Sequence, residues 1–440
     1  MAKSLRKLAA ATGAALIATT ALAAARPAQA AGPAKFGWPR ELNSPLLRHS
    51  GVPDGAGELN GVFCTSTADC WAVGFRVGAT GATLNQVLHW TGKKWFTVTV
   101  PEPAGTGKDD SNQLDAVRCT SASNCWAVGE SQKGDGAKLD QILHWTGKKW
   151  FAVSAPTPAG TLPGDVNELF DVACTSAASC WAGGDYGTED PTIFGETLKN
   201  QALRWNGKTW SVVPTPNPAG AKKNHGQAIS SIRCASPDNC WAAGAYGVLG
   251  NKLIVFNEML HWTGKKWTRV ILPNPAGKTK GSFSELFGLS CTSAKSCLAV
   301  GTAEKLGPMG KAVNVVFGWN GTKWQRIAVP NPDGTAPGSL NELGSVNCAA
   351  ARDCWAVGSF GGAKATSPAP RNQALHLTGT KWKVVSTPDP AGIKKNDSNR
   401  LNAIRCTGPA NCWAVGFIDH NSKPDQDEAL RWNGARWLSS

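Results

Sequence analysis

Four short apolar runs, each bounded by Gly, Pro, Ser or Asn, recur seven times along the chain. In the second of these units they cover 113–119, 125–129, 141–145 and 150–156. Runs of this length, rich in Val, Ile, Leu, Trp and Cys, are typical of strands rather than helices. A tight turn containing Gly147 joins the third run to the fourth. The pattern therefore predicts seven units of four antiparallel strands.

The period of the repeat indicates how the units are arranged. Their first cysteines lie 55 to 60 residues apart, at Cys64, Cys119, Cys174, Cys234, Cys291, Cys348 and Cys406. Four antiparallel strands repeated radially at such a period describe the blades of a β-propeller. A β-helix would need much shorter coils, and separate small domains would need linkers that the sequence lacks. We therefore predict an all-β fold, a seven-bladed β-propeller over residues 58–440.

The two ends of the chain carry separate signals. Residues 1–30 contain a basic start, an apolar Ala- and Leu-rich run and an A-x-A site, which is the pattern of a secretory signal peptide. We therefore expect a secreted protein, and no later apolar run is long enough to span a membrane. Residues 31–57 form an N-terminal segment. Because only three residues follow Trp437, we expect the last unit to lack most of its fourth strand and residues 38–45 to supply it, closing the ring.

The 14 cysteines form seven C-x5-C pairs with none left over. In an exported chain an even set favours disulfides, and this spacing is poor for zinc because no second pair or fixed histidine lies nearby. A loop this short should contribute on the order of 2 kcal/mol. We predict one disulfide within each blade: Cys64–Cys70, Cys119–Cys125, Cys174–Cys180, Cys234–Cys240, Cys291–Cys297, Cys348–Cys354 and Cys406–Cys412.

Tryptophan and histidine also follow the repeat. Trp comes after the second cysteine in six units, with Leu298 in the fifth, and Trp ends the third strand in six, with Leu377 in the sixth. Since both replacements are apolar, we predict that these rings pack between adjacent blades; the alternative is an aromatic platform for sugars. His or Arg precedes the last residue of most third strands, as at His89 and Arg204, which indicates a solvated strand face rather than a catalytic or metal site.

The phrase V-x-C-x-S-x-x-x-C-W-A-V-G, followed by L-H-W-x-G-x-x-W, resembles BNR/Asp-box repeats and the repeats of photosystem-stability-factor-like propellers. The resemblance covers nearly all of residues 38–440 and implies a propeller, but it implies little about activity. The hairpins here keep the Gly and Trp of an Asp-box and lack its Asp. Sialidases of this fold use a Tyr nucleophile, whereas the only tyrosines, Tyr186 and Tyr246, occupy equivalent positions in neighbouring blades.

Other catalytic signatures do not occur in the sequence. There is no G-x-S-x-G elbow, P-loop or EF-hand loop, and every cysteine is committed to a pair. We therefore predict no cofactor, no metal site and no catalytic residue that can be singled out.

The positive charge is concentrated on one face. The formal net charge is +14, or about +10 after the signal peptide. Since strands alternate in direction, the turns between strands one and two and between strands three and four share a face, which we call the hairpin face. This face favours attachment to an anionic wall polymer, or it merely keeps the turns soluble, and nucleic acid is not expected because no aromatic residues interleave. Its basic residues are Lys93, Lys94, Lys148, Lys149, Lys208, Lys265, Lys266, Lys323, Lys381 and Arg436.

The opposite face, which we call the variable face, carries connections that differ between units and is the expected binding surface. Its candidate ligand-binding residues beyond the second strands are Arg76, Tyr186, Tyr246 and Phe360. Six residues before their first cysteines stand the residues of the glutamate collar: Glu58, Glu168, Glu285 and Glu342. The collar would surround the channel mouth, where it would bind a cation, an amine or sugar hydroxyls, or only satisfy backbone donors.

These patterns favour a secreted, monomeric, non-catalytic binding module for an extracellular glycan, a cell-wall polymer or a protein. One alternative is a glycan-active hydrolase or lyase that uses carboxylates at the channel mouth. Another is a structural scaffold. The richness in Ala, Gly and Trp indicates a bacterium of high genomic GC content.

Overall fold

The computed structural model describes residues 56–188, 197–248, 253–306, 310–362, 369–420 and 425–440. Within these ranges the protein is all-β, with seven successive units of four antiparallel strands, as the apolar pattern predicts. No described residue lies in a helix, and so none of this part could cross a membrane as one.

The strands have the following bounds. Units 1 and 2 contain β1 Gly57–Ser66, β2 Asp69–Val77, β3 Thr83–Trp90, β4 Trp95–Thr97, β5 Ser111–Ser121, β6 Asn124–Gln132, β7 Lys138–Trp145 and β8 Trp150–Ala152. Units 3 and 4 contain β9 Asp165–Ser176, β10 Ser179–Thr188, β11 Thr197–Trp205, β12 Trp210–Val212, β13 His225–Ser236, β14 Asn239–Val248, β15 Ile254–Trp262 and β16 Trp267–Arg269. Units 5 to 7 contain β17 Ser282–Ser293, β18 Ser296–Lys305, β19 Lys311–Trp319, β20 Trp324–Ile327, β21 Asn341–Ala350, β22 Asp353–Phe360, β23 Arg371–Thr378, β24 Lys381–Val385, β25 Asp397–Gly408, β26 Asn411–His420, β27 Gln426–Trp432 and β28 Trp437–Ser439.

Backbone pairing joins the units only in part. Single parallel bridges, such as that between Thr83 and Ser111, link units 1 to 5 into one 20-stranded sheet, while units 6 and 7 are separate four-stranded sheets. The paired strands therefore form an open sheet. Beyond it, single backbone hydrogen bonds join units 6 and 7, from Asn399 N to the Pro370 oxygen, and units 7 and 1, from Gly57 N to the Asp425 oxygen, and side chains make further contacts.

Steric crowding explains the glycine that ends each C-W-A-V-G motif. The first strand bulges opposite it, between Leu59 and Gly61 in unit 1, which brings a backbone carbonyl unusually close. A Cβ on Gly74 would lie 1.8 Å from the Glu58 carbonyl oxygen. Only glycine fits at this position, which recurs in every unit.

All seven predicted disulfides are present, and each joins the first two strands of its own unit. The two cysteines of a pair stand directly opposite in the strand register, as Cys64 and Cys70 do, with Cα atoms 3.9 Å apart. Cross-links of this kind close only the hairpin and leave the association of units to packing.

Tryptophans pack between units, as predicted. Trp71 of unit 1 lies 4.9 Å from Trp145 and 5.3 Å from Trp150 of unit 2, between ring centroids. His89 covers the other face of Trp71 in a nearly parallel stack at 4.0 Å, and its Nε2 lies 2.6 Å from Asp69. The histidine position is therefore a half-buried stacking position, not the solvated face that the sequence predicted.

A second set of contacts between units consists of buried or half-buried side-chain pairs on the third strands. An Asn or Asp of one unit binds a Gln or Glu of the next, and every such pair contains at most one carboxyl group. The pairs are Asn85–Gln141, Asp140–Gln201, Asn200–Glu258, Asn372–Glu428 and Asp427–Gln86, at 2.5–2.9 Å, together with Asn314–Gln373 when the Gln373 amide is oriented by its neighbours. We call them the amide–carboxyl pairs.

Unit 7 contacts unit 1 in the same way as other neighbouring units contact each other. Trp413 lies 4.8 Å from Trp90 and 5.0 Å from Trp95, between ring centroids. The Asn402 side chain donates a 3.0 Å hydrogen bond to the Leu59 carbonyl oxygen. One of the amide–carboxyl pairs also spans this junction.

The strand at the C-terminal end corrects one expectation. β28 has three residues, the same length as β4, β8, β12 and β16, and it pairs with β27. The prediction that the last unit lacks most of its fourth strand is therefore wrong. The segment proposed to replace it, 38–45, lies outside the described residues, as do the rest of 31–55 and the signal peptide.

Candidate functional site

The glutamate collar lies at one end of the first strands. Its four members take the same place in the strand pairing. Each pairs with the second-strand residue that directly follows the glycine of the C-W-A-V-G motif, for Glu58, Glu168, Glu285 and Glu342 alike. The first three are buried and Glu342 is half-buried. Their common level is the one that the sequence spacing predicts.

Each collar glutamate is bound by a neighbouring unit. Asn402 donates to Glu58 at 3.0 Å, and the Lys138 ammonium lies 2.9 Å from Glu168. Ser230 donates to Glu285 at 3.3 Å, and Arg400 lies 3.2 Å from Glu342. The collar therefore joins units, and the described residues contain no group of three or more His, Cys, Asp or Glu arranged to hold a metal ion. Its role as a ligand site stays a prediction.

Arg76, Tyr186, Tyr246 and Phe360 lie one residue farther along the second strands than the collar level. Because side chains alternate along a strand, they point to the other face of the sheet from the residues opposite the collar. Each of the three aromatic rings is covered by a cation of its own unit, for example that of Tyr246 by Arg269 at 4.6 Å. Within a unit these residues and the collar glutamate therefore lie on opposite faces of the sheet, and their role in ligand binding stays a prediction. Much of the loops 186–199 and 360–370 lies outside the described residues.

Four buried carboxyl groups of units 2 and 3 gather beside the collar. Glu130, Asp140, Glu168 and Asp185, which we call the acid cluster, are all less than a tenth exposed. Glu130 stands opposite Asp140 in the register, and Asp185 stands opposite Glu168. The sequence contained a signal for this cluster, because Glu130 and Asp185 follow the motif glycine where other units have Phe, Ala, Thr or Ser.

Two members of the acid cluster have pKa values shifted in opposite directions. Burial raises the pKa of Asp140 well above its usual range, and the charges of Asp185 and Glu168 add to the shift. Burial opposes ionisation of Glu168, whereas the charge of the Lys138 ammonium and a hydrogen bond with Glu130 favour it and lower its pKa. Burial thus favours the neutral form of Asp140, and the neighbouring cation favours the ionised form of Glu168.

Three arginines converge at the hairpin-face end of the first strands. Arg118, Arg233 and Arg405, which we call the arginine cluster, directly precede the first cysteine of units 2, 4 and 7. The guanidinium carbons of Arg118 and Arg405 lie 4.6 and 4.2 Å from the centroid of the Phe63 ring of unit 1. Arg233 binds Asp171 of unit 3. First strands that are far apart in the sequence thus place their side chains together.

The arginine cluster carries more positive charge than its neighbours neutralise. Asp171 accepts hydrogen bonds from Arg233 and from two further groups of unit 4, so its charge is committed there. Burial and repulsion from the other arginines lower the pKa of Arg118, and the same causes lower the pKa of Arg405 to about 10. The Nε atoms of both are buried and have no hydrogen-bond partner in the described structure. Both guanidinium groups remain protonated at neutral pH, so they can still bind an anion.

The basic hairpin residues surround this end of the molecule. The hairpins join the third and fourth strands at the level of the disulfides, as the register of Cys125, Trp145 and Trp150 shows. All ten hairpin lysines and arginines are exposed. The sequence analysis identified these exposed residues but missed the arginine cluster. The cluster could have been noticed because an arginine directly precedes the first cysteine in units 2, 4 and 7.

Comparison with known proteins supports the fold. No family model matches the chain, and no curated protein does. The solved polysaccharide lyase Uly1 superposes with a TM-score of 0.53 at 9% identity, covering 91% of this chain and 92% of that chain. The WD40 β-propeller domain of Doa1 gives 0.43 at 11% identity, covering 86% and 94%. The GH74 xyloglucanase from Xanthomonas campestris gives a TM-score of 0.46 at 12% identity. That match covers 88% of this chain and 55% of the xyloglucanase, so this chain spans about half of its length. The likeness is one of fold, to structures of the β-propeller class.

Proposed function

We propose that the seven units are the blades of a closed, secreted, seven-bladed β-propeller whose first strands surround a central channel. The contacts of unit 7 with unit 1 support closure, because they repeat the tryptophan packing and the amide–carboxyl pairing of the other junctions. The seven disulfides support an extracellular location. We expect the protein to act as a monomer.

We further propose that this propeller is a non-catalytic binding module for an anionic extracellular glycan, and that the arginine cluster binds the acidic groups. The observation that supports this most directly is the convergence of three guanidinium groups, of which Arg233 binds Asp171 while Arg118 and Arg405 lie over the Phe63 ring. A carboxylate or sulfate accepts paired hydrogen bonds from guanidinium and would relieve the repulsion between the arginines. The exposed lysines around them would contact further charges along a polymer. The fold likeness to a polysaccharide lyase supports a glycan as that polymer.

The test compares two double variants that each remove two positive charges. Arg118→Gln/Arg405→Gln should weaken binding to dextran sulfate or polygalacturonate about 10- to 100-fold, since charge-assisted hydrogen bonds are lost. Lys93→Gln/Lys94→Gln, on an exposed hairpin, should weaken it less than about threefold at physiological salt. Biolayer interferometry against these polymers, with uncharged dextran as the reference, measures both.

Equal losses in the two variants would show that only the general charge matters and would contradict a site at the arginines. The absence of wild-type binding to either acidic polymer would contradict the proposed function altogether. Arg233 is left unchanged in this test because its removal would leave Asp171 buried without its cation.

A second candidate function is glycan hydrolysis or elimination at the acid cluster. It rests on the opposite pKa shifts of Asp140 and Glu168, since a neutral acid beside a carboxylate is the arrangement that such reactions need. On this hypothesis wild-type protein releases reducing ends or unsaturated uronates from a polysaccharide panel, and Glu168→Gln slows release at least about 100-fold. If the wild type releases no product from any polysaccharide of the panel, this second function is excluded for them.

A further inference from the structure

The tryptophan packing is complete at six of the seven junctions between described units. At each of these, the indole after the second cysteine lies 4.7–4.9 Å from a third-strand indole of the next unit. A fourth-strand indole of that next unit lies nearly perpendicular to it at 5.0–5.3 Å. A His ring or an Arg guanidinium of the same unit covers its other face.

The junction between units 5 and 6 lacks three of these four groups. Leu298 stands in place of the first indole, Gly318 in place of the His or Arg, and Leu377 in place of the third-strand indole. Only Trp382, the fourth-strand indole, remains, and it packs with Leu298 and Leu377. Two indoles and the His or Arg that covers them are thus missing at one place, although the three substitutions come from three different strands.

The remaining side chains do not fill this space. A cavity of about 270 Å³ lies at the junction, lined by Leu298, Gly318, Leu377 and Trp382 among others. Ile327 is the one partial compensation, because the equivalent residue is Val in most other units, and a Cβ on Gly318 would lie 2.7 Å from Ile327 Cδ1. At the other junctions, packed aromatic rings fill the corresponding space.

The lining indicates the chemistry of an occupant. No lining residue is charged, so an ion would lose its hydration without compensation. The lining is apolar at Leu298, Leu377 and Ile327, and the half-buried Ser296 and the exposed Thr380 supply hydroxyl groups at the rim. The perpendicular indole that the counterparts of Trp382 contact is absent here, because Leu298 stands in its place. A flat, neutral ring with one polar atom matches these features.

We propose that the cavity between units 5 and 6 binds a small neutral aromatic compound of the indole or phenol class, whose ring takes the place of the missing indole. This site is separate from the arginine cluster and does not depend on the function proposed above. The ligand would pack against Leu298 and Leu377, contact the edge or face of Trp382, and direct its polar atom to the hydroxyl groups at the rim.

The experiment uses 5-fluoroindole as the probe and ¹⁹F NMR as the readout. The wild-type protein should bind it with a dissociation constant near millimolar or below, in line with the affinity that so few atoms can supply. Leu298→Trp restores an indole in the cavity and should weaken binding at least about tenfold. The same variant should raise the melting temperature by roughly 2–4 °C, which shows that it is folded and that its new ring is buried.

Leu298→Met, which keeps the side-chain volume, is the matched control and should bind the probe as the wild type does. No wild-type binding at several millimolar probe would overturn the proposal. Equal binding by wild type and Leu298→Trp would overturn it as well, because the probe would then be bound elsewhere. Displacement of 5-fluoroindole by a neutral monosaccharide but not by phenol would contradict the aromatic class of ligand.

Discussion

Replacing Trp413 by alanine should lower the free energy of unfolding by about 3–5 kcal/mol, the usual cost of deleting a buried tryptophan. Trp413 is 1% exposed, and its contacts with Trp90 and Trp95 join the last unit to the first. Their loss leaves a cavity at the junction between units 7 and 1. Urea unfolding, followed by circular dichroism, measures the change.

The matched control is Trp126→Ala, which removes the same side chain between units 2 and 3. Trp126 has nearly the same packing, at 4.8 Å from Trp205 and 5.3 Å from Trp210. In a closed propeller the two variants should lose free energies that agree within about 1 kcal/mol. A much smaller loss for the Trp413 variant would mean that units 7 and 1 do not pack together in solution, and the closed ring would have to be abandoned.

The second large effect concerns a half-buried carboxyl group at the same junction. Asp427→Asn should stabilise the protein by about 1–3 kcal/mol at pH 8 and change it little at pH 4. Burial raises the pKa of Asp427 to about 6, although the hydrogen bond from Gln86 acts the other way. The folded state therefore binds more protons than the unfolded state between about pH 4 and 6. Stability falls as the pH rises through this window and stays lower above it.

Asparagine at this position is neutral and can form the Asn–Gln pair that Asn85 and Gln141 already form. The measurement is the difference in unfolding free energy between wild type and variant at each pH, so that contributions of other acids cancel. Asp109→Asn, which removes an exposed carboxylate, serves as the control and should shift stability by less than about 0.5 kcal/mol. A variant less stable than wild type at pH 8 would show that the Gln86 bond requires a carboxylate.

The features that the sequence predicted well are those contained within one unit. Four strands, the hairpin turn and the disulfide depend on neighbours in the chain, and an apolar run or a C-x5-C spacing reports them directly. The junctions between units are harder to predict, because their contacts join residues far apart in the chain, such as Asn85 and Gln141, 56 positions apart, and Gln86 and Asp427, 341 positions apart. Leu298 and Leu377 were both visible as departures from the repeat, yet only the packing of consecutive units shows that they meet at one cavity.

The candidate site follows the same division. The level of the glutamate collar could be predicted because it follows from the distance to the first cysteine. Its partners could not, since Lys138 and Arg400 reach Glu168 and Glu342 from neighbouring units. The arginine cluster was missed because it needs the first strands of units 2, 4 and 7 to face one another, which no single repeat encodes.

The amide–carboxyl pairs affect which units the protein could lose during evolution. Tandem repeats readily gain and lose copies, and the loss of one copy places two units side by side that were not neighbours before. If unit 3 were deleted, Asp140 would face Glu258, and two carboxyl groups would compete for one proton in a dry environment. Loss of unit 6 would instead leave Asn314 facing Glu428, a combination that the protein already tolerates. The buried pairs between units therefore make the loss of some units more costly to stability than the loss of others.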